Sequence, residues 1–476
     1  MLTRLRVAGF KNLVDADVRF GPFTSIAGAN GVGKSNLFDA VHFLSLTADR
    51  PLAEAARAVR GGVESLFHRV GDVRGDEISF AVEMLVPPLA YDDLGQEARA
   101  TITFLEYRLV LARRAPGDAA GQLEIVREEL RHIPKFEAHK HLCFPHSAGL
   151  WRSSVVIGER RAPYFISTSE DDGERVIHLH QDGGSLGRPV KYRARQLPRT
   201  VLSGAGAAES PTALVARREL ASWRLLQLEP SALRRPDELE APARLGTDGS
   251  RLAATLHRLA RARGAETVYA ALAERLAGLV DDVRGVRIER DERRGLLTLR
   301  IVDHEGTEHP SPAISDGSLR FLALAVLELD AADGLLCLEE PENGVHPERV
   351  PAMLQLLHDL AADVRRPSGP DNPLRQVIVN THSSAVVAQT PEESLLVALS
   401  REDEDARGRY RKVELHPLPD TWRARAPDSL EPVPFGRLLA YLNPMLPRDF
   451  LSFPYRDKRR RVVDRDDVQQ LFIPFQ

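Results

Sequence analysis

Apolar residues recur along this chain in two rhythms, and the switches between them lay out its elements. Alternation of apolar and polar positions predicts short strands over residues 2–8 and 14–27. Leu37, Val41 and Leu44 then fall at helical spacing and predict a helix over 35–45. Three alternating stretches follow: EISFAVEMLV from Glu77, ATITFLEYRLVLARR from Ala100 and GQLEIVREEL from Gly121. With Pro, Gly and Asp between them, they predict an antiparallel sheet beside segment 28–35.

The rhythm breaks from about 135 to 285. Aromatic and basic loops give way to helices near 211–228 and 250–283, short and separated by Pro-rich linkers. They lack the sustained heptads of a coiled coil, so the region reads as an inserted lid. Strand alternation returns in VRGVRIERDERRGLLTLRIVD, with a turn over 292–295. A helix over 318–332, an apolar strand over 335–338 running into acids, and another apolar strand from Gln376 complete the pattern. Beyond about Arg401 prolines accumulate in a tail that contains KRRRVVDRDD. No repeat has the period of a solenoid or propeller.

Composition narrows the class. The 476 residues allow two to four structural units, and 43% hydrophobic with 28% charged residues is ordinary globular composition. A net charge of −4 restricts any nucleic-acid surface to a local patch. The arginine bias, with only seven lysines, says as much about gene composition as about phosphate contacts. Cys143 and Cys337 lie far apart without metal-type spacing, which argues against a disulfide framework or structural zinc and for a reducing compartment. No apolar run approaches the roughly 20 residues that span a bilayer. The N-terminus MLTRLRVAGFKNL lacks a signal-peptide core, so a cytoplasmic protein without membrane partners is expected.

The densest chemistry lies in GANGVGKS, from Gly28 to Ser35. Glycines let successive backbone N–H groups converge on phosphate oxygens, Lys34 adds a point charge, and the Ser35 hydroxyl is placed to ligate Mg²⁺. Asn30, Gly31, Gly33 and Asn36 belong to the same cradle, and the helix it opens favours an anion. The structural alternative is a glycine turn that caps a helix. In LLCLEEPE an apolar strand ends in adjacent carboxylates. Glu339 would hold Mg²⁺ through water, and Glu340 would orient or deprotonate an attacking water. Taken alone, that is also an ordinary strand and polar turn. Ser315-Asp316-Gly317-Ser318 heads an apolar helix, either as donors for a phosphate or as a plain cap. His382 ends the strand VIVNTH, where an imidazole either meets the γ-phosphate or the water, or is structural.

Order decides between these readings. Glycine loop, Ser-Asp-Gly-Ser helix, Glu-Glu strand and strand-terminal His follow one another as in ABC ATPases. On FKNLVDADVRFGPFTSIAGANGVGKSNLFDAV, ISDGSLRFLALAVLEL, CLEEPENGVHP and VIVNTHSS the chain resembles the RecF/OLD/SMC-like branch of that family. It is similar in particular to stand-alone AAA-type ATPases of bacterial antiphage and toxin–antitoxin modules, over residues 1–140 and 286–400.

The resemblance implies an α/β fold: an ABC-type P-loop NTPase head, with a mixed sheet and helices plus an antiparallel β subdomain, carrying an inserted α/β lid. Its implied divisions are 1–135 and 286–405 for the two halves of the head, 136–285 for the lid, and 406–476 for a partner-binding tail. ATP and Mg²⁺ are the implied ligands, and a homodimer or higher homo-oligomer the implied assembly. Ser315, Gly317 and Ser318 would act in trans over the partner's ATP, with 343–347 at the seam. Two departures stand out. The metal carboxylate is Glu339 where many ABC proteins use Asp, and no Q-loop glutamine follows strand 78–86.

The 280 positions between Ser35 and Ser315 far exceed the insertion of a transporter cassette. OLD-type proteins carry a Toprim nuclease after the ATPase. Here about 75 residues follow the last ATPase strand, and Asp464, Asp466 and Asp467 read as a solvated tail. The expectation is therefore an ATP-hydrolysing ATPase that dimerises around ATP and regulates a separate effector, a nuclease or toxin, in an antiphage module. The alternatives are a RecF-like repair or recombination ATPase and a nucleotide-stabilised scaffold with negligible turnover. DNA or RNA would meet Arg188, Lys191, Arg193, Arg195 and Arg199, which surround Tyr192 without an acid. An exposed arginine-rich loop explains that stretch equally well. The cluster at 458–461 is weaker, because four Asp flank it.

Overall fold

Among the described residues the strands assemble into two large sheets, beside one four-stranded and two two-stranded ones. The computed structural model describes residues 1–114, 123–182, 188–277, 283–330 and 334–442. The basic cluster at 458–461 and the acids Asp464, Asp466 and Asp467 lie outside the described residues.

Eight strands form an antiparallel sheet in the order Val190–Arg193, Glu174–Leu179, Tyr164–Asp171, Leu123–His132, Phe104–Arg113, Glu77–Leu85, Leu2–Phe10 and Leu13–Arg19. Alternation gives it one dry face: Phe80, Val82, Tyr107 and Leu109 are buried, whereas Ser79, Ala81, Arg108 and Val110 reach the surface. The second sheet runs Arg224–Leu226, Leu335–Glu339, Gln376–Thr381, Phe23–Ala27, Leu395–Asp405 and Gly408–His416. Its first five strands are parallel and the last antiparallel. The strand QVIVNT is buried at every position, as a central parallel strand covered on both faces must be.

Helix Lys34–Thr47 fills the space between the sheets. Phe38, Val41 and Leu44 share one core with Leu5 and Val82 of the first sheet and Ile26 and Ile378 of the second. The Phe43 ring sits 6.2 Å from Phe10 and 5.7 Å from Phe80. On the other face of the parallel sheet, helices Leu252–Arg263, Ala265–Ala277, Asp316–Leu329 and Val350–Leu360 bury Leu336, Leu338, Val377 and Val379 in a second core. Among the described residues no helix is long and apolar enough to cross a membrane.

The structure departs from the expected elements at three places. Residues 14–27 are two strands, because Pro22 cannot donate to a ladder and the chain changes sheets there. Segment 136–285 is more closely integrated than an appended lid. Its hairpin Tyr164–Asp171 and Glu174–Leu179, turned at Asp172 and Gly173 with φ of 51° and 78°, extends the antiparallel sheet. Its strand Arg224–Leu226 pairs with Leu335–Glu339. The tail expected from 406 begins inside a hairpin: Gly408–His416 pairs along Leu395–Asp405, and the alternation of charged residues hides buried Val397, Val413 and Leu415.

One buried amide ties the sheets together. Gln376, which opens a parallel strand, accepts the Leu2 N–H at 2.8 Å and donates to the Leu2 and Gly21 carbonyls at 2.7 and 2.9 Å. Gln376→Leu keeps the bulk but strands those groups without water, so we expect a loss of about 2–4 kcal/mol. Urea unfolding should show a lower midpoint at unchanged slope.

Candidate nucleotide site

Parallel register assembles the site. Glu339 pairs with Asn380 and Thr381 with Ala27, so three adjacent strands end at one edge and release Gly28, Glu340 and His382 together. Ligands bind at such carboxyl edges of open parallel sheets.

Two glycines in the loop are required by their surroundings. A Cβ on Gly28 would lie 2.7 Å from the Ala398 carbonyl oxygen. Gly33 has φ of 117°, and a Cβ there would lie 2.2 Å from the Asn12 amide. Asn12 braces the loop from outside: its amide donates to the Val32 carbonyl at 2.9 Å and accepts from the Asn36 side chain at 2.7 Å. The Lys34 ammonium turns into the ring, donating to the Gly28 and Ala29 carbonyls at 2.6 and 2.9 Å. Burial pulls its pKa below the usual lysine value, against the opposing charges of Glu340, Glu342 and Glu339. Asn30 and Gly31 stand exposed at the tip.

Glu340 occupies left-handed backbone space, with φ of 43°. Its N–H is held by the Asn380 carbonyl at 3.1 Å and side chain at 3.0 Å. Its carboxylate accepts from the Asn343 amide at 2.9 Å and from His382 Nδ1 at 2.7 Å. Burial pushes the carboxyl pKa upward, but these bonds and the charges of His382 and Lys34 outweigh it and leave the group below its ordinary value.

Glu339 is gripped by Arg60, whose guanidinium donates to both carboxylate oxygens at 2.8 and 3.2 Å. The same guanidinium donates to the Ser35 carbonyl at 3.0 Å and to Asp39 at 2.8 Å. The donors here are hard oxygens, which suits Mg²⁺. Among the described residues no group of three or more His, Cys, Asp or Glu is arranged to hold a metal by itself. Mg²⁺ would be held by Ser35 and Glu339 together with phosphate and water oxygens, in competition with Arg60 for the carboxylate.

The Ser-Asp-Gly-Ser segment is built for rigidity. Ser315 caps helix Asp316–Leu329, accepting from the Ser318 N–H at 3.2 Å, with the two hydroxyls 2.7 Å apart. Arg234 pairs with Asp316 and donates to the Ile314 carbonyl at 2.9 Å. A Cβ on Gly317 would lie 2.9 Å from the Gly344 carbonyl oxygen, so this helix start packs on segment 343–347 of its own chain. Among the described residues, no hydrogen bond links Ser315, Gly317 or Ser318 to loop 28–36. The structure thus brings together Lys34, Ser35, Glu339, Glu340 and His382, whereas the contacts of the Ser-Asp-Gly-Ser segment run to Arg234 and Gly344.

The arginine-rich stretch lies elsewhere. Arg188, Lys191, Arg193, Arg195 and Arg199 are exposed at the edge of the antiparallel sheet. Lys191 pairs with Asp171 at 2.7 Å and Arg193 with Glu174 at 3.3 Å. Sequence reading found no acid within the stretch because both acids come from neighbouring strands. It also missed Asn12, Arg60, Glu342 and Thr381 as site residues.

Residues 170–388 match the family described as "AAA domain, putative AbiEii toxin, Type IV TA system", a span that takes in Ser315, Glu339, Glu340 and His382. The DNA replication and repair protein RecF of Frankia alni is 29% identical over 143 residues, 27% of this chain and 36% of that protein. The RecF of Magnetococcus marinus is 30% identical over 133 residues, 28% of this chain and 32% of that protein. Over these spans the chain is similar to that AAA-domain family and to RecF proteins.

These matches span about a third of the length of the RecF relatives. A solved SmcHead bound to the C-winged helix domain of ScpA aligns over 88% of this chain and 98% of that one, at 14% identity and a TM-score of 0.42. Asn12 is the clearest brace on loop 28–36. Asn12→Ala removes two bonds of about 1 kcal/mol each, so ATP binding should weaken about tenfold or more. Titration with a fluorescent ATP analogue, alongside an unchanged circular dichroism spectrum, checks this.

Proposed function

We propose that this chain binds ATP with Mg²⁺ and hydrolyses it between two copies of itself, and that the cycle controls a separate effector, a nuclease or toxin, in a bacterial antiphage module. The observation that carries the hydrolytic half is the pairing of Glu340 with His382 beside the Lys34 loop. In this reading loop 28–36 binds the phosphates. Glu340, kept ionised by its neighbours, takes a proton from water as the water oxygen attacks the γ-phosphorus and the bond to the β-phosphate oxygen breaks. His382 fixes the direction of that carboxylate. Bound Mg²⁺ would neutralise charge on the outer phosphates.

Dimerisation is favoured by the exposed Ser315 and half-buried Ser318, which are pre-capped at a helix start and, among the described residues, make no hydrogen bond to loop 28–36 of their own chain. With those residues as roof, ATP becomes the adhesive between subunits and its hydrolysis the release. The effector role draws on the toxin–antitoxin character of the matching family, and the RecF relatives favour a second reading, an ATPase that acts at DNA in repair or recombination. Co-purification with the products of neighbouring genes separates the two. A co-purifying nuclease or toxin supports the first, and recombination proteins the second. The basic stretch around Lys191 enters either reading as the proposed DNA or RNA contact, tested by a salt series on Arg193→Ala and Arg195→Ala.

Glu340→Gln should bind ATP, stop turnover and accumulate a species of twice the 52.8 kDa chain mass in light scattering. Lys34→Ala should stay at the single mass with or without ATP. A Glu340→Gln protein that still hydrolyses ATP, or never doubles, removes the reading. Because the Glu340 carboxyl lies below its ordinary value, its ionised form persists to lower pH than that of an unperturbed glutamate. The kcat profile should therefore stay flat from neutrality down to about pH 5.

A further inference from the structure

The acidic turn carries a third carboxylate that the hydrolytic reading leaves without a task. Glu342 is 7% exposed and lies three residues beyond Glu339. One of its oxygens meets the Thr381 hydroxyl. That hydroxyl already accepts the Ser383 N–H at 3.0 Å, so its proton points to Glu342. The other Glu342 oxygen is buried and has no hydrogen-bond partner among the described residues.

Thr381 immediately precedes His382, and Glu342 follows Glu340 by two residues. The turn and the strand end are therefore joined at three points in a row: the Glu340 N–H on Asn380, the Glu342 carboxyl on Thr381, and the Glu340 carboxylate on His382. The middle joint is the buried one. Glu340 needs such support, because its left-handed backbone is one that side-chain-bearing residues rarely adopt unless their surroundings enforce it.

We propose that Glu342 is a positioning residue of the hydrolytic centre: through the Thr381 hydroxyl it clamps the acidic turn onto the strand end that bears His382, and so holds Glu340 against the imidazole. This rests on the hydrolytic reading above. Burial, with the Glu340 charge adding to it, raises the Glu342 carboxyl above its ordinary value. A neutral carboxyl still accepts the Thr381 proton, so the joint requires an acceptor and no negative charge.

The test compares Thr381→Val, Thr381→Ser, Glu342→Ala, Glu342→Gln and the pair Thr381→Val with Glu342→Ala. Each is assayed for ATP turnover, for affinity toward a fluorescent ATP analogue, and for amide hydrogen exchange over residues 339–345 and 380–384. Misplacing a reacting group by about 1 Å costs about a hundredfold, so Thr381→Val and Glu342→Ala should lose about that in kcat, with affinity within about threefold. Thr381→Ser and Glu342→Gln should stay within about threefold of the parent, and the pair should be no worse than either single change, since all break one joint. Parental turnover in Thr381→Val, a multiplicative loss in the pair, or affinity falling in step with kcat overturns the proposal. A parent protein that does not hydrolyse ATP defeats the hydrolytic reading instead. Exchange then decides the clamp by itself: faster exchange in both segments in Thr381→Val supports it, and unchanged exchange overturns it.

Discussion

Parallel pairing without offset among three strands is the constraint on which the rest of the molecule depends. Leu335–Glu339, Gln376–Thr381 and Phe23–Ala27 are far apart in sequence, yet their ladders bring their carboxyl ends level. A one-residue slip in any of them would turn its apolar side chains toward the wrong core and its terminal residue away from the other two. The buried Val and Ile positions that make these strands parallel and central are therefore the same positions that aim Glu340 and His382 at the glycine loop. Packing and chemistry cannot be varied independently here.

The charges at that edge form a balanced set. Lys34 is stripped of water by its own loop, a burial that alone would favour losing its proton, and three glutamates oppose that loss. Glu339 is matched by Arg60, Glu340 by His382 and Lys34, and Glu342 by a hydroxyl. The least exposed of the three acids thus has the weakest counter-charge and a raised pKa, whereas Glu340, with cationic and amide neighbours, stays ionised. Two carboxyls two residues apart are pushed in opposite directions by their surroundings, which suits the separate roles proposed for them.

What the sequence made legible was local. GANGVGKS, the Glu-Glu strand end and the Ser-capped helix each announce themselves within a few residues, and each lies where its pattern places it. What it concealed depends on contacts made across the chain. Arg60 reaches Glu339 across 279 positions, and Asn12 reaches Asn36 from a turn that looks like any other polar break between strands. The hairpin over 395–416 was hidden for a different reason: its exposed positions carry so many charges that the buried Val397, Val413 and Leu415 between them read as incidental. The Asp172–Gly173 turn was a signal of the ordinary kind, and it marks the point where an apparent insertion rejoins the sheet.

That hairpin changes how the nucleotide loop should be viewed. Gly28 can carry no side chain because the Ala398 carbonyl stands behind it, and Asn12, which braces Val32 and Asn36, also accepts the Val413 N–H at 3.1 Å. The loop is thus backed by both strands of the hairpin, one directly and one through Asn12. Lys412, which pairs with Asp15 at 3.2 Å, adds a further tie to the antiparallel sheet. A displacement of the loop by its ligand has no soft direction at its rear. It must move the hairpin and the first two strands with it, or be absorbed at the exposed tip, where Asn30 and Gly31 meet no such wall. Residues 408–416, which composition marked as the start of a tail, are mechanically part of the back of the site.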